Sequence, residues 1–118
     1  YEIGLGIPAE PLFRSSMLNG KELDVYLPEL NLAFEFDGTY WHADPRFYDE
    51  NFVFTLKRNL TAKEIWNNDA EKDKLCESLG IKIVHIKEYD WDKNNNIIKQ
   101  LILKEISNKI EEKNGKTN

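Results

Sequence analysis

The sequence predicts an α/β protein, more narrowly an α+β sandwich in which a small mixed β-sheet carries helices on its faces. Two segments that alternate apolar and acidic residues, 21–27 and Leu32–Asp37, predict a β-hairpin. Two later segments have helical periodicity, and the β-branched segment 81–86 lies between them. Because a strand that follows a helix usually pairs in parallel with an earlier strand, the order strands, helix, strand, helix predicts this mixed sheet.

Length and composition are those of one globular domain spanning residues 1–118, with 41% hydrophobic residues. Cys76 is the only cysteine, so we expect no disulfide, no structural zinc and a small apolar side chain in the core. No apolar segment approaches the ~20 residues that span a bilayer, so we expect a cytoplasmic protein without a membrane partner. The chain starts at Tyr1 and its only methionine is Met17, so we expect a fragment that lacks an upstream segment.

The predicted hairpin concentrates acidic side chains on one face, because successive strand residues point to opposite faces. If residues 28–31 form the loop, Leu27 pairs with Leu32. The acidic residues then set opposite one another are Asp24 with Glu35 and Glu22 with Asp37. Opposed like charges destabilise a sheet, and a divalent cation with oxygen ligands resolves the conflict. The hairpin therefore predicts a metal site for Mg²⁺ or Mn²⁺.

The plainer alternative is a sheet with one solvated face, on which carboxylates need no ion. Acidic residues are depleted in strands, however, and the turn after Asp37 delivers His42 beside the acidic row. With an ordinary pKa near ~6.5, His42 could accept a proton from an attacking water. Nearby carboxylates would raise that pKa, so the roles of general acid and phosphate contact stay open.

The rest of the chain is interpreted element by element. Residues 12–18 predict a further strand before an Asn-Gly turn. Residues 38–60 are too long and too aromatic for a plain connection, which indicates a functional loop or one ordered by its own side chains. A capping box, Thr61 with Glu64, starts a helix that Gly80 ends, and Asp69 and Asp73 lie on it one turn apart. We expect Asp92 to cap the final helix.

Several other side chains have two interpretations. We interpret His85 as a packing residue, because it shares a strand face with Ile81 and Ile83. Glu88 and Asp90 follow the strand and are interpreted as a solvated turn. Two groups near the long loop are candidate DNA contacts. The aromatic pair, Tyr40 and Trp41, has the alternative of being core or rim aromatics. The basic cluster has the alternative of being a solvated face: Lys57, Arg58 and Lys63.

Four motifs follow one another over about residues 19–91: ELD-x-Y-x-P, E-x-D-G-x-Y-W-H, I-W-x-x-D-x-x-K-D and L-G-I-K-I-V-x-I-x-E-x-D-W. Together they resemble the very-short-patch-repair (Vsr)-like endonucleases. More closely, they resemble the phage-associated EDxHD homing endonucleases of the PD-(D/E)XK nuclease superfamily. The resemblance implies a restriction-endonuclease-like core and a Mg²⁺- or Mn²⁺-dependent endonuclease that hydrolyses phosphodiester bonds of double-stranded DNA.

The resemblance also implies roles for particular residues. Asp24, Glu35 and Asp37 would hold the metal, and Asp37 stands where the superfamily has a lysine. His42 matches the histidine that the repair enzymes place near the attacking water, and it completes the catalytic set. The residues implied as supporting are Glu22, Asp69, Lys72 and Asp73. The EDxHD branch also takes a glutamate from a helix before the first strand; this sequence predicts no such helix, and Glu2 or Glu10 would be forced substitutes.

The net charge of −5 disfavours non-specific DNA binding, so an upstream DNA-binding region or a homodimer would have to supply affinity. Two alternatives remain. One is a nuclease-like interaction module that has lost catalysis. The other is a mismatch-repair DNA nickase, but repair enzymes carry a structural zinc that one cysteine and two histidines cannot rebuild.

Overall fold

The computed structural model describes residues 24–115 and shows a mixed α/β fold in that range, which confirms the predicted fold class. Its elements are β1 (Val25–Leu27), β2 (Leu32–Asp37), β3 (Val53–Phe54), β4 (Leu60–Thr61), α1 (Ala62–Ser78), β5 (Lys82–Lys87), α2 (Glu88–Lys93) and α3 (Asn95–Gly115). The strand predicted at 12–18, the turn after it and the residues Glu2, Glu10 and Glu22 lie outside the described residues.

The main sheet has the order β1-β2-β5, with β1 antiparallel and β5 parallel to β2. Leu27 lies opposite Leu32, as the loop length predicted. A 3-10 turn, Pro28–Leu30, connects the strands, and Asn31 closes it in the left-handed conformation (φ 49°), which asparagine tolerates. The parallel pairing with β5 confirms the mixed sheet and sets Glu35 opposite His85.

The two faces of the sheet bury different layers because strand side chains alternate. One face packs on α3 through a buried aliphatic and aromatic cluster: Leu27, Leu30, Leu32, Phe34, Ile86 and Ile106. The other packs on α1 through Tyr26, Ala33, Cys76 and Ile81, of which only Ala33 and Cys76 are small. Cys76 is therefore buried, as predicted. Since Ala33, Glu35 and Asp37 alternate with Phe34 along β2, the acidic row lies on the α1 side.

Helix α1 begins and ends where the sequence predicted. The Thr61 hydroxyl accepts from the Glu64 N–H (3.2 Å), and the Glu64 carboxylate accepts from the Thr61 N–H (3.0 Å), which completes the capping box. Gly80 follows the helix with φ +76°, a conformation that costs other residues steric strain.

The prediction of one final helix capped by Asp92 is wrong. Asp92 lies inside α2, and a break at Asn94 separates α2 from α3. The Asn94 side chain accepts from the Ile97 N–H (3.2 Å) and so satisfies a free donor in the first turn of α3. Glu88 and Asp90 are not a solvated turn either: Glu88 accepts from the Thr39 N–H (2.8 Å), and Asp90 forms an ion pair with Arg46 (2.7 Å).

The long connection between β2 and α1 is ordered by its own side chains. Phe54 is fully buried against Ala62 and Ile65, and Tyr40 and Tyr48 pack around it with ring centroids 4.9 Å and 4.8 Å away. Within residues 24–115, no helix combines the length and apolar character needed to cross a membrane.

Candidate metal centre

The candidate site lies between β2, β5 and α1, at the end of the sheet where both parallel strands finish. Parallel strands present their carboxyl ends at one edge, where polar groups from neighbouring strands meet. A cavity of about 200 Å³ opens there. Its lining includes Asp37, His42, Trp66, Asp69, Asp73 and His85.

Three side chains converge in a geometry suited to a metal ion. One ligand atom each from Glu35, Asp37 and His42 lies within 4.8 Å of the others. Glu35 and Asp37 are only 4% and 7% exposed. The Asp37 Oδ1 atom is buried and has no hydrogen-bond partner among the described residues. Since a buried carboxylate oxygen without a partner is costly, this atom fits a cation ligand.

The chemistry of the donors separates their roles. Carboxylate oxygens suit Mg²⁺ and Mn²⁺, which retain several waters and need only one or two protein carboxylates. Imidazole is a preferred ligand of other metals. Glu35 and Asp37 therefore fit a hard divalent cation, and His42 fits a proton-transfer or phosphate-contact role beside it.

His42 is held by both the turn after β2 and helix α1. Its N–H donates to the Gly38 carbonyl (3.0 Å), and its Nδ1 lies 2.9 Å from Asp69 Oδ2 and 3.8 Å from Asp37 Oδ1. The hydrogen bond to Asp69 raises the pKa of His42, although burial and the charge of Lys57 oppose the shift. His42 thus favours its protonated form and donates to Asp69.

Lys72 brings a positive charge to the buried carboxylates. Its Nζ donates to Glu35 Oε1 (2.7 Å). In the sequence of α1, Lys72 lies between Asp69 and Asp73. Burial raises the pKa of Glu35, and the contact with Lys72 only partly offsets that effect. The three α1 residues at i, i+3 and i+4 share one helix face, which places them together over the acidic row.

The interpretation of His85 as a packing residue is wrong. Its Nδ1 lies 2.9 Å from Asp37 Oδ2, and its Nε2 lies 2.9 Å from the Asp73 carboxylate. The hydrogen bond to Asp37 is the main cause that raises the pKa of His85 to about 9. The protonated ring donates from both nitrogens and fixes Asp37 through Oδ2, which leaves Oδ1 without a hydrogen bond among the described residues. The parallel register, which sets His85 opposite Glu35, is the signal that alternation along β5 alone did not give.

Asp24, the metal ligand predicted with most weight, occupies a different position. It is exposed, lies outside the converging group of three, and its Oδ2 accepts from the Phe36 N–H (2.6 Å). Its charge still helps to raise the pKa of Glu35, so it lies near the site. Glu22, the other acidic residue of that strand, lies outside the described residues.

The candidate DNA contacts divide into two kinds. Tyr40 belongs to the aromatic cluster of the connection, and its hydroxyl accepts from the Leu56 N–H (3.1 Å). Trp41 is 51% exposed, and its carbonyl accepts from Lys57 Nζ. Arg58 and Lys63 are exposed, and neither forms an ion pair within the described part of the chain.

Comparison with known proteins assigns no family. No protein-family model matches the chain, and no curated protein or solved structure matches it either.

Proposed function

We propose that this chain is a metal-dependent DNA endonuclease domain of the EDxHD, phage-type homing or mobile-element kind, within the PD-(D/E)XK superfamily. The observation that carries the proposal is the buried Oδ1 of Asp37, which has no hydrogen-bond partner among the described residues and converges with Glu35 and His42 at the edge of the sheet. A buried carboxylate pair that accepts a hard cation, beside a histidine and a lysine, is suited to phosphodiester hydrolysis.

Each residue has a distinct part in this proposal. Glu35 and Asp37 would hold Mg²⁺ or Mn²⁺, which when bound supplies charge neutralisation at the scissile phosphate and acidifies a water. Asp69 orients His42 and favours its protonated form, which suits donation of a proton to a phosphate or leaving oxygen. Lys72 compensates Glu35 when no cation is present.

The proposal also includes how the protein reaches its substrate. The chain has 16 basic against 21 acidic residues, so double-stranded DNA would repel much of its surface. A homodimer or an upstream DNA-binding region would supply the remaining affinity. The same proposal places the protein in the cytoplasm of a prokaryotic or phage-infected cell.

One observation favours an inactive interaction module instead. Lys72 already contacts Glu35 at 2.7 Å and His85 contacts Asp37 at 2.9 Å, so the two carboxylates have partners of opposite charge without any metal. In that case the cluster would be a structural ion-pair network.

Cleavage of supercoiled plasmid with Mg²⁺ or Mn²⁺ tests the proposal. We expect the wild type to cut, EDTA to stop it, and His42→Ala to slow it by about 100-fold, the usual scale for losing a proton-transfer group. Asp37→Asn should abolish cutting, and Asp24→Asn shows whether that carboxylate also belongs to the site. The matched control is Asp92→Asn, an exposed carboxylate on α2. A wild type that neither cuts DNA nor binds Mn²⁺ in calorimetry would overturn the nuclease and support the inactive module.

A further inference from the structure

A basic, partly apolar surface lies next to the candidate metal centre. It is formed by residues 53–63, here called the basic hairpin, which comprise β3, a short connection, β4 and the start of α1. These residues carry three cations and no acidic group, in a chain whose net charge is −5. The basic hairpin is therefore suited to a polyanion.

The tip of the basic hairpin is a formed turn. β3 and β4 pair with Val53 opposite Thr61 and Phe54 opposite Leu60. The Lys57 N–H donates to the Phe54 carbonyl (2.9 Å), and Arg58 and Asn59 both take left-handed conformations with φ 57° and 59°. Left-handed backbone is unusual for arginine, so the tip is held in shape by its neighbours.

Those neighbours tie the tip to the residues just before His42. The Tyr40 hydroxyl accepts from the Leu56 N–H (3.1 Å), and Lys57 Nζ donates to the Trp41 carbonyl. The Tyr40 ring packs edge-on against Phe54, with centroids 4.9 Å apart. The tip of the basic hairpin is therefore attached to the two residues that precede His42.

The anchored tip presents an apolar side chain to solvent. Leu56 is 73% exposed, more than any other large hydrophobic residue in the described range. Beside it lies an open cavity of about 390 Å³. Trp41, Leu56, Arg58 and Asn68 line this cavity, and Asn68 precedes Asp69 of the candidate centre on α1. Trp41 likewise precedes His42, so the surface is joined to the candidate centre through two chain neighbours of its residues.

We propose that the basic hairpin is the duplex-DNA contact of this domain, with its cations on phosphates and Leu56 inserted as an apolar wedge in the minor groove beside the cleavage site. The inference rests on the proposed function. Cations that flank one exposed apolar side chain match how minor-groove proteins hold the backbone and wedge a base step. Charge complementarity favours a polyanion such as duplex DNA, because residues 53–63 bear only positive charge.

The test measures binding separately from cutting. Anisotropy of a fluorescent mixed-sequence duplex oligonucleotide, in EDTA and at low ionic strength, gives the affinity of the full chain without cleavage. We expect Arg58→Gln and Lys63→Gln together to reduce the slope of log K against log salt by about 1.8, near 0.9 for each phosphate contact. We expect Leu56→Ala to weaken binding about tenfold, since most of a leucine side chain would lose its burial.

Exposed residues on α3 supply matched controls. Leu101 is 52% exposed and Lys104 is exposed, both on the helix that covers the opposite face of the sheet. Leu101→Ala and Lys104→Gln should bind as the wild type does. The fluorescence of 2-aminopurine placed in the duplex depends on base stacking and reports the wedge directly. Binding of the wild type should change this fluorescence, and binding of Leu56→Ala should not.

The outcomes separate this inference from the nuclease itself. If the wild type cuts plasmid while the hairpin variants bind and cut equally well, the basic hairpin is not the contact and the nuclease stands. If the hairpin variants lose binding but the wild type never cuts, the DNA contact stands and the nuclease fails. Equal losses in the α3 controls, or no duplex binding by the wild type, would overturn the inference, and capture of a protein through Leu56 would replace it.

Discussion

The contact of His85 with two carboxylates predicts how stability depends on pH. The pKa of His85 is raised to about 9, mainly by its hydrogen bond to Asp37, whereas a histidine in an unfolded chain titrates near ~6.5. A base whose pKa is higher in the folded state than in the unfolded state stabilises the fold, and this stabilisation is complete at any pH below the pKa of the unfolded state. That contribution is lost as the pH rises through the folded value. The free energy of unfolding of the metal-free protein should therefore fall between about pH 6.5 and 9.

The size of the fall follows from the same two values. At about 1.4 kcal/mol for each pH unit between them, the upper limit is about 3 kcal/mol. Because 31% of the His85 side chain is exposed, solvent screening reduces the expected fall to about 2 kcal/mol. His42 contributes with the same sign, because Asp69 raises its pKa as well. The chain has only these two histidines, so no third one adds to the slope.

Urea unfolding in EDTA at a series of pH values measures this fall for the wild type, His85→Gln and His42→Gln. His85→Gln should remove most of the slope, and His42→Gln should retain the part that belongs to His85. Burial raises the pKa of the Cys76 thiol, so ionisation of that thiol in the unfolded chain near ~8.5 adds to the fall at the alkaline end, and the slope of His85 is measured below that pH. A wild-type stability that is constant or rises from pH 6.5 to 9, or a His85→Gln variant with the full slope, would refute the reasoning.

Four further outcomes are expected. Ile106→Ala should cost about 3 kcal/mol by leaving a cavity under α3, whereas Leu103→Ala, at a site 48% exposed, should cost under about 0.5 kcal/mol in the same urea titrations. Thr61→Ala should cost about 1 kcal/mol through loss of the capping box. Gly80→Ala should cost about 1 kcal/mol because of its positive φ; a neutral effect would contradict the assigned turn. Affinity for Mn²⁺ in calorimetry should increase as the pH rises above about 6.5 and His42, whose pKa Asp69 raises, loses a positive charge that repels the cation; an affinity independent of pH would argue against His42 beside the cation.

The parts of the fold that local chemistry determines were predictable from the sequence. Alternation fixed β2 at Leu32–Asp37, and the loop length fixed the register that sets Leu27 against Leu32. The start of α1 was predictable because Thr61 and Glu64 have the spacing of a capping box, whose reciprocal hydrogen bonds the structure contains. The break at Asn94 was missed because asparagine can cap a helix or continue one, and the choice depends on how α2 packs on β5.

The candidate site was predictable only in part, because it is assembled from separate elements. The acidic row and the turn to His42 lie in one continuous segment of the chain. Alternation along the strand and the turn residues after it therefore predicted that they lie close together. His85 was missed because β5 by itself reads as an apolar row. Its function as a partner of Asp37 appears only when β5 lies in register beside β2 and α1 brings Asp73 across.

The small residues between α1 and the sheet have a consequence for the charges that surround the acidic row. Ala33 and Cys76 are fully buried in the layer between helix and strands, and they determine how closely α1 approaches β2. The same helix carries Asp69, Lys72 and Asp73, so the thickness of that layer sets the width of the site. Lys72 reaches Glu35 at 2.7 Å and Asp69 reaches His42 at 2.9 Å across that layer. A single extra methyl group at Ala33 would therefore move both charged partners away from the acidic row without replacing any charged side chain.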